Sequence, residues 1–469
     1  MTKTAIHELN AGDLIRLYRA RALSPVEVVR DVLARIERFN PLVNAFLLVD
    51  GDGALAAARA AEQRFGRGEP SGLLDGIPAT VKDNIWAKGW PARKGSAVSD
   101  PAPVPDDAPA VARLREQGAV ILGKTTLPEH GWIGVCHSPL TGITRNPWNL
   151  DRTPGGSTGG GAVAALLNLG TLHLGTDGAG SLRIPAAFTG VFGFKPTFGR
   201  VPAYPASAMT VLSHQGPVAR TVGDAALTLG AISGPDARDL AAWNSPAADF
   251  MAGLDDGVAG LKIAWSPRLG YVDTIDAEVE AKTAEAARVF EELGARVEAA
   301  DPGFATPVDL IRTMWSAVAT TIVDAVPGRD RAKVDPGLAR VAEHGRRYSL
   351  ADFLAAYQAR AELAITMERF LGIYDLLLTP QMPLTAFEAG RETPADGRYG
   401  DDWINWSPYT YPFNLTQQPA ASVPFGFSRD GLPIGLQIAG RRGADALVLR
   451  AARAFEQARP FATLAEPLA

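Results

Sequence analysis

Three short stretches carry the residue types that chemistry at a carbonyl requires. In "GIPATVKDNI" (76–85), Lys82 ends an apolar, strand-like run beside Ala79, Val81 and Ile85. Lysine is scarce here, nine against 37 arginines, so Lys82 is not random surface charge. A lysine at a strand end can be solvated; a desolvated one loses its charge as its pKa falls and can then take a proton. In "TPGGSTGGG" (153–161), Ser157 and Thr158 sit among glycines ahead of an apolar run. That stretch reads as a flexible turn, as an anion cradle at a helix N-terminus, or as a G-x-S-x-G nucleophile elbow. The Gly-Lys-Ser/Thr ending of a nucleotide loop is missing, and an elbow needs a strand where "TRNPWNLDRTP" offers two prolines. In "GTDGAGSLRIPAAF" (175–188), the backbone N–H groups of Gly178, Ala179, Gly180 and Ser181 lack bulky side chains to screen them. Successive exposed N–H groups on a turn form the nest that a tetrahedral oxyanion requires. Ser181 would offer its hydroxyl to the carbonyl carbon, and Asp177 and Arg183 would fix the turn. Taken alone, the stretch also reads as a glycine-rich turn with a capping serine.

The remaining reactive residues point elsewhere. His173 lies in the apolar run "LGTLHLGTDG" and reads as a hydrogen-bonded core histidine. His130 and His137 stand on either side of the segment 131–136. Cys136 reads as a pocket wall or apolar filler, not a nucleophile. As the only cysteine it excludes an intramolecular disulfide and a Cys-based zinc cluster. No His/Asp/Glu grouping has metal-ligand spacing, so no metal and no cofactor is expected.

These residues need a scaffold, and the chain supplies alternating strands and helices. "SPVEVVRDVLARIERFNP" opens like a helix, with Ser24 as N-cap, Pro25 at the first position and Glu27 completing a capping box. Val29, Leu33 and Ile36 form its apolar stripe, and Asn40-Pro41 is the expected stop. "GALAAARAAEQRFGRG" is a second helix expected to end at Gly66. "AVILGKT" (119–125) and "YDLLLTP" (374–380) read as strands, and "GAVAALLNLGT" as a short buried helix. "GLPIGLQIAG" places Leu432, Ile434, Leu436 and Ile438 on one face of a strand. "DALVLRAARAFEQA" is a helix with Val448, Ala452 and Phe455 inward. This alternation predicts an α/β fold with a mixed sheet under helices.

Composition sets outer bounds. The chain has 469 residues, 46% hydrophobic and 21% charged, with a net charge of −5. That is an ordinary globular balance with no basic footprint for nucleic acid. The start "MTKTAIHELN" has no signal-peptide core, and no apolar run reaches the ~20 residues of a membrane span, so a cytoplasmic protein is expected.

Taken in order, "GIPATVKDNI", "TRNPWNLDRTPGGSTGGGAVAAL", "GTDGAGSLRIPAAFTGVFGFKPTFGRVP" and "YPFNLTQQPAASVPFGFSRDGLPIGLQIAG" make the chain resemble the amidase signature family of serine hydrolases. The resemblance runs through essentially the whole chain. It implies one domain over 1–469 with a mixed, twisted central sheet covered by helices on both faces. Within it, 71–205 would be the catalytic core, and 267–412 a helical lobe and loop shaping the substrate cleft. It implies a Ser–cis-Ser–Lys triad, with Ser181 as nucleophile, Ser157 as bridge after a cis peptide, and Lys82 as base. Thr158 stands where the family usually has a second serine, and Ala179 where it has a glycine; a positive φ at Ala179 would reshape the nest. "GVCHSPLTG" departs from the usual run at that point. The implied substrate wall combines Trp132, Ile133, Gly134, Val135 and Cys136 with Trp403 and Trp406 of the turn-rich segment 384–412. Such a wall suits an aryl or alkyl amide or carbamate, cleaved with water by a monomer or homodimer. The family's other reading is the glutaminase subunit of a tRNA-dependent amidotransferase. Ala364, in "YQARAELAITMERF", aligns where those subunits carry an arginine.

Overall fold

A computed structural model describes residues 5–464. Residues 1–4 and 465–469 of the expected domain, with the first four of "MTKTAIHELN" among them, lie outside the described residues. The strands are β1 (Phe46–Val49), β2 (Pro78–Lys82), β3 (Val120–Thr125), β4 (His137–Ser138), β5 (Gly142–Ile143), β6 (Leu172–Asp177) and β7 (Phe192–Lys195). They continue with β8 (His214–Ala219), β9 (Lys262–Trp265), β10 (Arg296–Ala299), β11 (Leu376–Pro380), β12 (Ala420–Phe427) and β13 (Pro433–Gly440). β4 and β5 make a separate two-stranded ribbon, and the rest pair into one sheet of 11 strands. Its order is β1-β3-β2-β6-β8-β7-β12-β13-β11-β9-β10. Helices flank the sheet, as the alternation of elements predicts.

The sheet is mixed. β2 runs parallel to β3 and to β6, so Lys82, Thr125 and Asp177 all stand at carboxyl ends on one edge. In open α/β sheets that edge is where ligands bind. Every residue of β2 is buried, which is what strips water from Lys82. All eight residues of β13 are buried too. Ile434, Leu436 and Ile438 form the apolar face that the alternation predicts, and Gln437, on the other face, is also enclosed. A central strand covered on both faces behaves in this way. Leu432 is buried just ahead of that strand.

Local signals match the structure where capping chemistry sets them. The helix Pro25–Val43 starts at Ser24, which accepts from Val26 N and closes the capping box with Glu27. It does not stop at Asn40-Pro41. Pro41 is accommodated in the last turn, and the Asn40 side chain accepts from Ala45 N and Phe46 N, covering amides beyond the helix end. Asn44 at φ 51 is the true cap. The second helix runs Gly51–Arg67 and passes through Gly66; Gly68, at φ 77, takes the left-handed turn that ends it. The segment 267–412 is stitched into the main sheet: β10 pairs with β9 at the edge, and β11 pairs with β13. Its helices Val308–Asp324 and Pro336–Gly345 form a second apolar cluster with Trp132, Trp315, Trp403 and Trp406. Among the described residues, no helix is long and apolar enough to cross a membrane.

Candidate active site

Lys82 is fully buried at the end of β2. Its Nζ lies 2.7 Å from Ser157 Oγ, 3.0 Å from Thr158 Oγ1 and 2.9 Å from Thr176 Oγ1. Burial pushes the ammonium down to about 7, against smaller upward pulls from Cys136 and Asp177. The peptide between Gly156 and Ser157 is cis. Glycine is required at Gly156 because a Cβ there would overlap the Val135 carbonyl oxygen. Thr158 N donates to the Ser181 carbonyl at 3.1 Å, which ties the two serine loops together. The structure thus brings Lys82, Ser157 and Thr158 into contact and ties the Ser181 backbone to them.

The turn before Ser181 is held from behind. Arg183 grips Asp177 with two bonds of 3.0 Å, and also donates to Gln437, Thr410 and Asn414. Both partners are fully buried. Burial alone would raise the Asp177 carboxyl, but the Arg183 guanidinium and its hydrogen bonds hold it well below the usual carboxylate range. Asp177 in turn accepts from Gly180 N at 2.7 Å and Leu182 N at 3.1 Å. This corrects the expected nest. The Gly180 amide is committed to Asp177, whereas the amides of Gly178, Ala179 and Ser181 have no acceptor among the described residues. Ala179 is not at positive φ; Gly180 takes that conformation, at φ 125, so alanine fits without reshaping the turn. The Ala179 carbonyl accepts from Thr410 Oγ1 at 2.5 Å.

Removing one partner of a buried ion pair costs ~3–5 kcal/mol, because the other charge stays buried. Arg183→Met should therefore lower the unfolding free energy by about that much and misplace the nest. Because the Asp177 carboxyl is depressed, the pair's contribution is present above the ordinary carboxylate range near pH ~4 and lost as pH falls below it. Chemical denaturation at neutral and acid pH checks this; a variant as stable as the wild type at neutral pH would show that the pair is dispensable.

Ser157 and Ser181 open onto a cavity of about 110 Å³. Its walls are not those expected. They come from Asn84, Lys94, His130, Gly131, the segment Ala203–Met209, Gln215, Trp315 and Ile322. Trp132, Ile133, Gly134, Val135, Cys136, Trp403 and Trp406 do not line it. They support it instead. A Cβ at Gly156 would meet the Val135 carbonyl, one at Gly159 the Cys136 side chain, and one at Gly134 the Trp406 ring, so the backbone here is closely backed by these residues. Trp406 donates to the Glu392 carbonyl and stacks on Phe188. Trp132 and Trp403 line a neighbouring pocket of about 300 Å³, which shares Trp315 with the cavity. Tyr409 and Tyr411 are core, and Ala364 is absent from the cavity wall.

The histidines divide as follows. His173 bonds Thr80 Oγ1 through Nδ1 at 2.8 Å and is pushed down to about 3 by burial. It is the core histidine the sequence suggests. His137 lies in β4, off the cavity. His130 does line the cavity, and burial with the nearby Lys94 charge takes it to about 4. Cys136 is buried beside Thr144 and Thr126, and burial raises its thiol. Thr176, Asn84 and Gly131 are site residues that the sequence reading passed over. Asn84 donates to Thr176 Oγ1, and a Cβ at Gly131 would meet Ser157 Oγ at 3.0 Å. Of these, only Asn84 and Thr176 carried a signal, as polar residues next to Lys82 and Asp177. Among the described residues, no group of His, Cys, Asp and Glu is placed to hold a metal ion.

The Amidase family model matches residues 27–449, so the chain belongs to the amidase signature family. It is 35% identical over 477 residues to an acylamidase of Rhodococcus erythropolis, covering 98% of each chain. It is also 37% identical over 489 residues to a glutamyl-tRNA(Gln) amidotransferase subunit of Myxococcus xanthus, covering 98% of this chain and 99% of that one. Among solved structures, a bacterial aryl acylamidase superposes with a TM-score of 0.90 at 31% identity over 97% of each chain. The chain is an enzyme of the class that hydrolyses C–N bonds.

Proposed function

We propose that the protein hydrolyses an aryl or alkyl amide or carbamate through an acyl-enzyme on Ser181, with Lys82 as base and Ser157 as proton relay. The observation that carries this reading is the buried Lys82 Nζ, 2.7 Å from Ser157 Oγ. A neutral lysine has two N–H donors and one lone pair. The Thr158 hydroxyl already donates to the Thr176 carbonyl, so it accepts from Lys82, as Thr176 Oγ1 does. The lone pair is left for the Ser157 hydroxyl, the direction proton abstraction needs.

In the forward step Ser181 Oγ attacks the carbonyl carbon, and its proton passes through Ser157 to Lys82. The oxyanion is received by amides of the Gly178–Ser181 turn, those of Gly178, Ala179 and Ser181 having no acceptor among the described residues. Collapse of the tetrahedral species breaks the C–N bond while the proton returns to the leaving nitrogen. Water then repeats the cycle on the acyl-enzyme and restores Ser181.

The likeness to amidotransferase subunits supports glutaminase activity as the rival. Against it, the cavity wall carries no carboxylate, among the described residues, to pair with the α-ammonium of glutamine. A zwitterion would lose its hydration there without a full clamp. Turnover of 4-nitroacetanilide, an N-aryl carbamate and L-glutamine should be compared side by side. The kcat/KM for an aryl substrate should exceed that for glutamine by roughly a hundredfold, the scale of ~3 kcal/mol in transition-state binding. Comparable rates on glutamine would favour the rival.

A further inference from the structure

The cavity beside Ser181 has a charge pattern that the triad does not use. No Asp, Glu or Arg lines it, and His130 is neutral at physiological pH, so Lys94 is its one cation among the described residues. The half-buried Lys94 ammonium has no carboxylate and no hydrogen-bond acceptor among the described residues. The backbone that presents it is fixed. Lys94 sits at φ 53, and its carbonyl accepts from His130 N at 2.7 Å. The adjoining Arg93 amide donates to Asp83, whose buried carboxylate faces Lys124 at 3.7 Å. Lys94 also occupies a junction. With His130 and Ile322 it lines both the Ser181 cavity and an outer pocket of about 460 Å³. Asp100, on the outer pocket, caps Ala102 N, and no ion pair joins it to Lys94 among the described residues.

We propose that Lys94 selects amide substrates bearing a carboxylate, which it receives where the Ser181 cavity meets the outer pocket. The inference rests on the amide-hydrolase reading above and adds a substrate class to it. A held but unpartnered cation in a carboxylate-free cavity gains a charge-assisted hydrogen bond when an anion arrives. An ammonium placed beside that anion would find Lys94 and, on the wall of the Ser181 cavity, no carboxylate among the described residues, so the same wall that accepts a carboxylate disfavours an amino acid.

Three 4-nitroanilides of matched acyl length test it: the mono-anilide of glutaric acid, the pentanoic anilide with a methyl in place of the carboxylate, and the γ-glutamyl anilide. The leaving group is constant, so the ratios read the acyl end alone. The glutaric anilide should exceed the pentanoic one by about tenfold in kcat/KM, the size of one charge-assisted bond in a half-buried site, with the γ-glutamyl anilide the poorest of the three. Lys94→Gln should collapse the glutaric-to-pentanoic ratio to about one, the expected result for a lost ion pair. No preference in the wild type, or a preference that Lys94→Gln retains, overturns the proposal. A second measurement does not depend on turnover. Glutarate should slow fluorophosphonate labelling of Ser181 in the wild type and not in Lys94→Gln; equal slowing in both, or in neither, also overturns it. Failure of the fluorophosphonate to label Ser181 would count against the hydrolase reading, and calorimetric titration of glutarate into the two proteins would then decide Lys94 separately: binding confined to the wild type supports its role, and equal or absent binding overturns it.

Discussion

Ser181→Ala should reduce turnover by roughly four to six orders of magnitude, the scale found when the nucleophile of a unit-acting triad is removed. The fold should survive. Ser181 is a small side chain at a turn whose shape is set by Asp177, Arg183 and Thr410, none of which bonds the Ser181 hydroxyl. The residual rate should come from the free amides and from Lys82, which remain in place. Mass spectrometry after fluorophosphonate treatment should find the label on Ser181 and none in the Ser181→Ala variant. Ser157 is the alternative site of labelling, and it is the serine directly bonded to Lys82. The assignment turns on which serine sits in a turn with free backbone amides, and that is Ser181, whose own N–H has no acceptor among the described residues. A label on Ser157, or turnover in Ser181→Ala within tenfold of wild type, would reverse the roles.

How far the sequence carried the site depended on the range of each signal. Ser24, Pro25 and Glu27 are a few residues apart, and the helix start they predict is the one observed. The helix ends were misplaced because each was settled by contacts a local reading does not contain: the Asn40 side chain reaches past the helix, and Gly68 rather than Gly66 takes the left-handed turn. Lys82 and the Ser181 turn stood out by residue type and glycine context, whereas the stretch around Ser157 left several readings open and only the family resemblance paired it with Lys82, from which it lies 2.7 Å away. The cavity wall was not. Trp315, Ile322 and Ala203–Met209 reach Ser181 from distant parts of the chain, and nothing in their local sequence marks them. Trp403 and Trp406 showed the opposite error. An aromatic-rich loop looks like a binding surface, but here its rings are buried and serve as core. Aromatic content alone does not separate the two, because large rings contribute as much to a core as to a site.

Lys82 should govern the pH dependence. With its ammonium lowered to about 7, the neutral, proton-accepting form grows as pH rises through that value. The kcat/KM should therefore climb between about pH 6 and 8 and level off above, whereas a lysine at its ordinary ~10.4 would still be climbing there. Lys82→Ala should abolish most activity, and Lys82→Arg should not restore it, because a guanidinium does not give up its proton in this range. Stability provides a second, independent reading with its own sign. In the folded chain Lys82 is neutral above about 7, while the unfolded chain keeps the proton up to the ordinary lysine range. Unfolding thus takes up a proton between those two values, and wild-type stability should rise with pH across that window. Lys82→Met carries no such group. Its melting temperature relative to wild type should be most favourable near pH ~7 and should lose ground steadily toward pH ~10. Thermal scans of both proteins across that range measure the difference directly. A difference that does not change with pH, together with an activity profile flat from about pH 6 to 9, would mean that Lys82 keeps an ordinary pKa. The base would then have to be sought elsewhere, with His130, the one histidine on the cavity wall among the described residues, first in line.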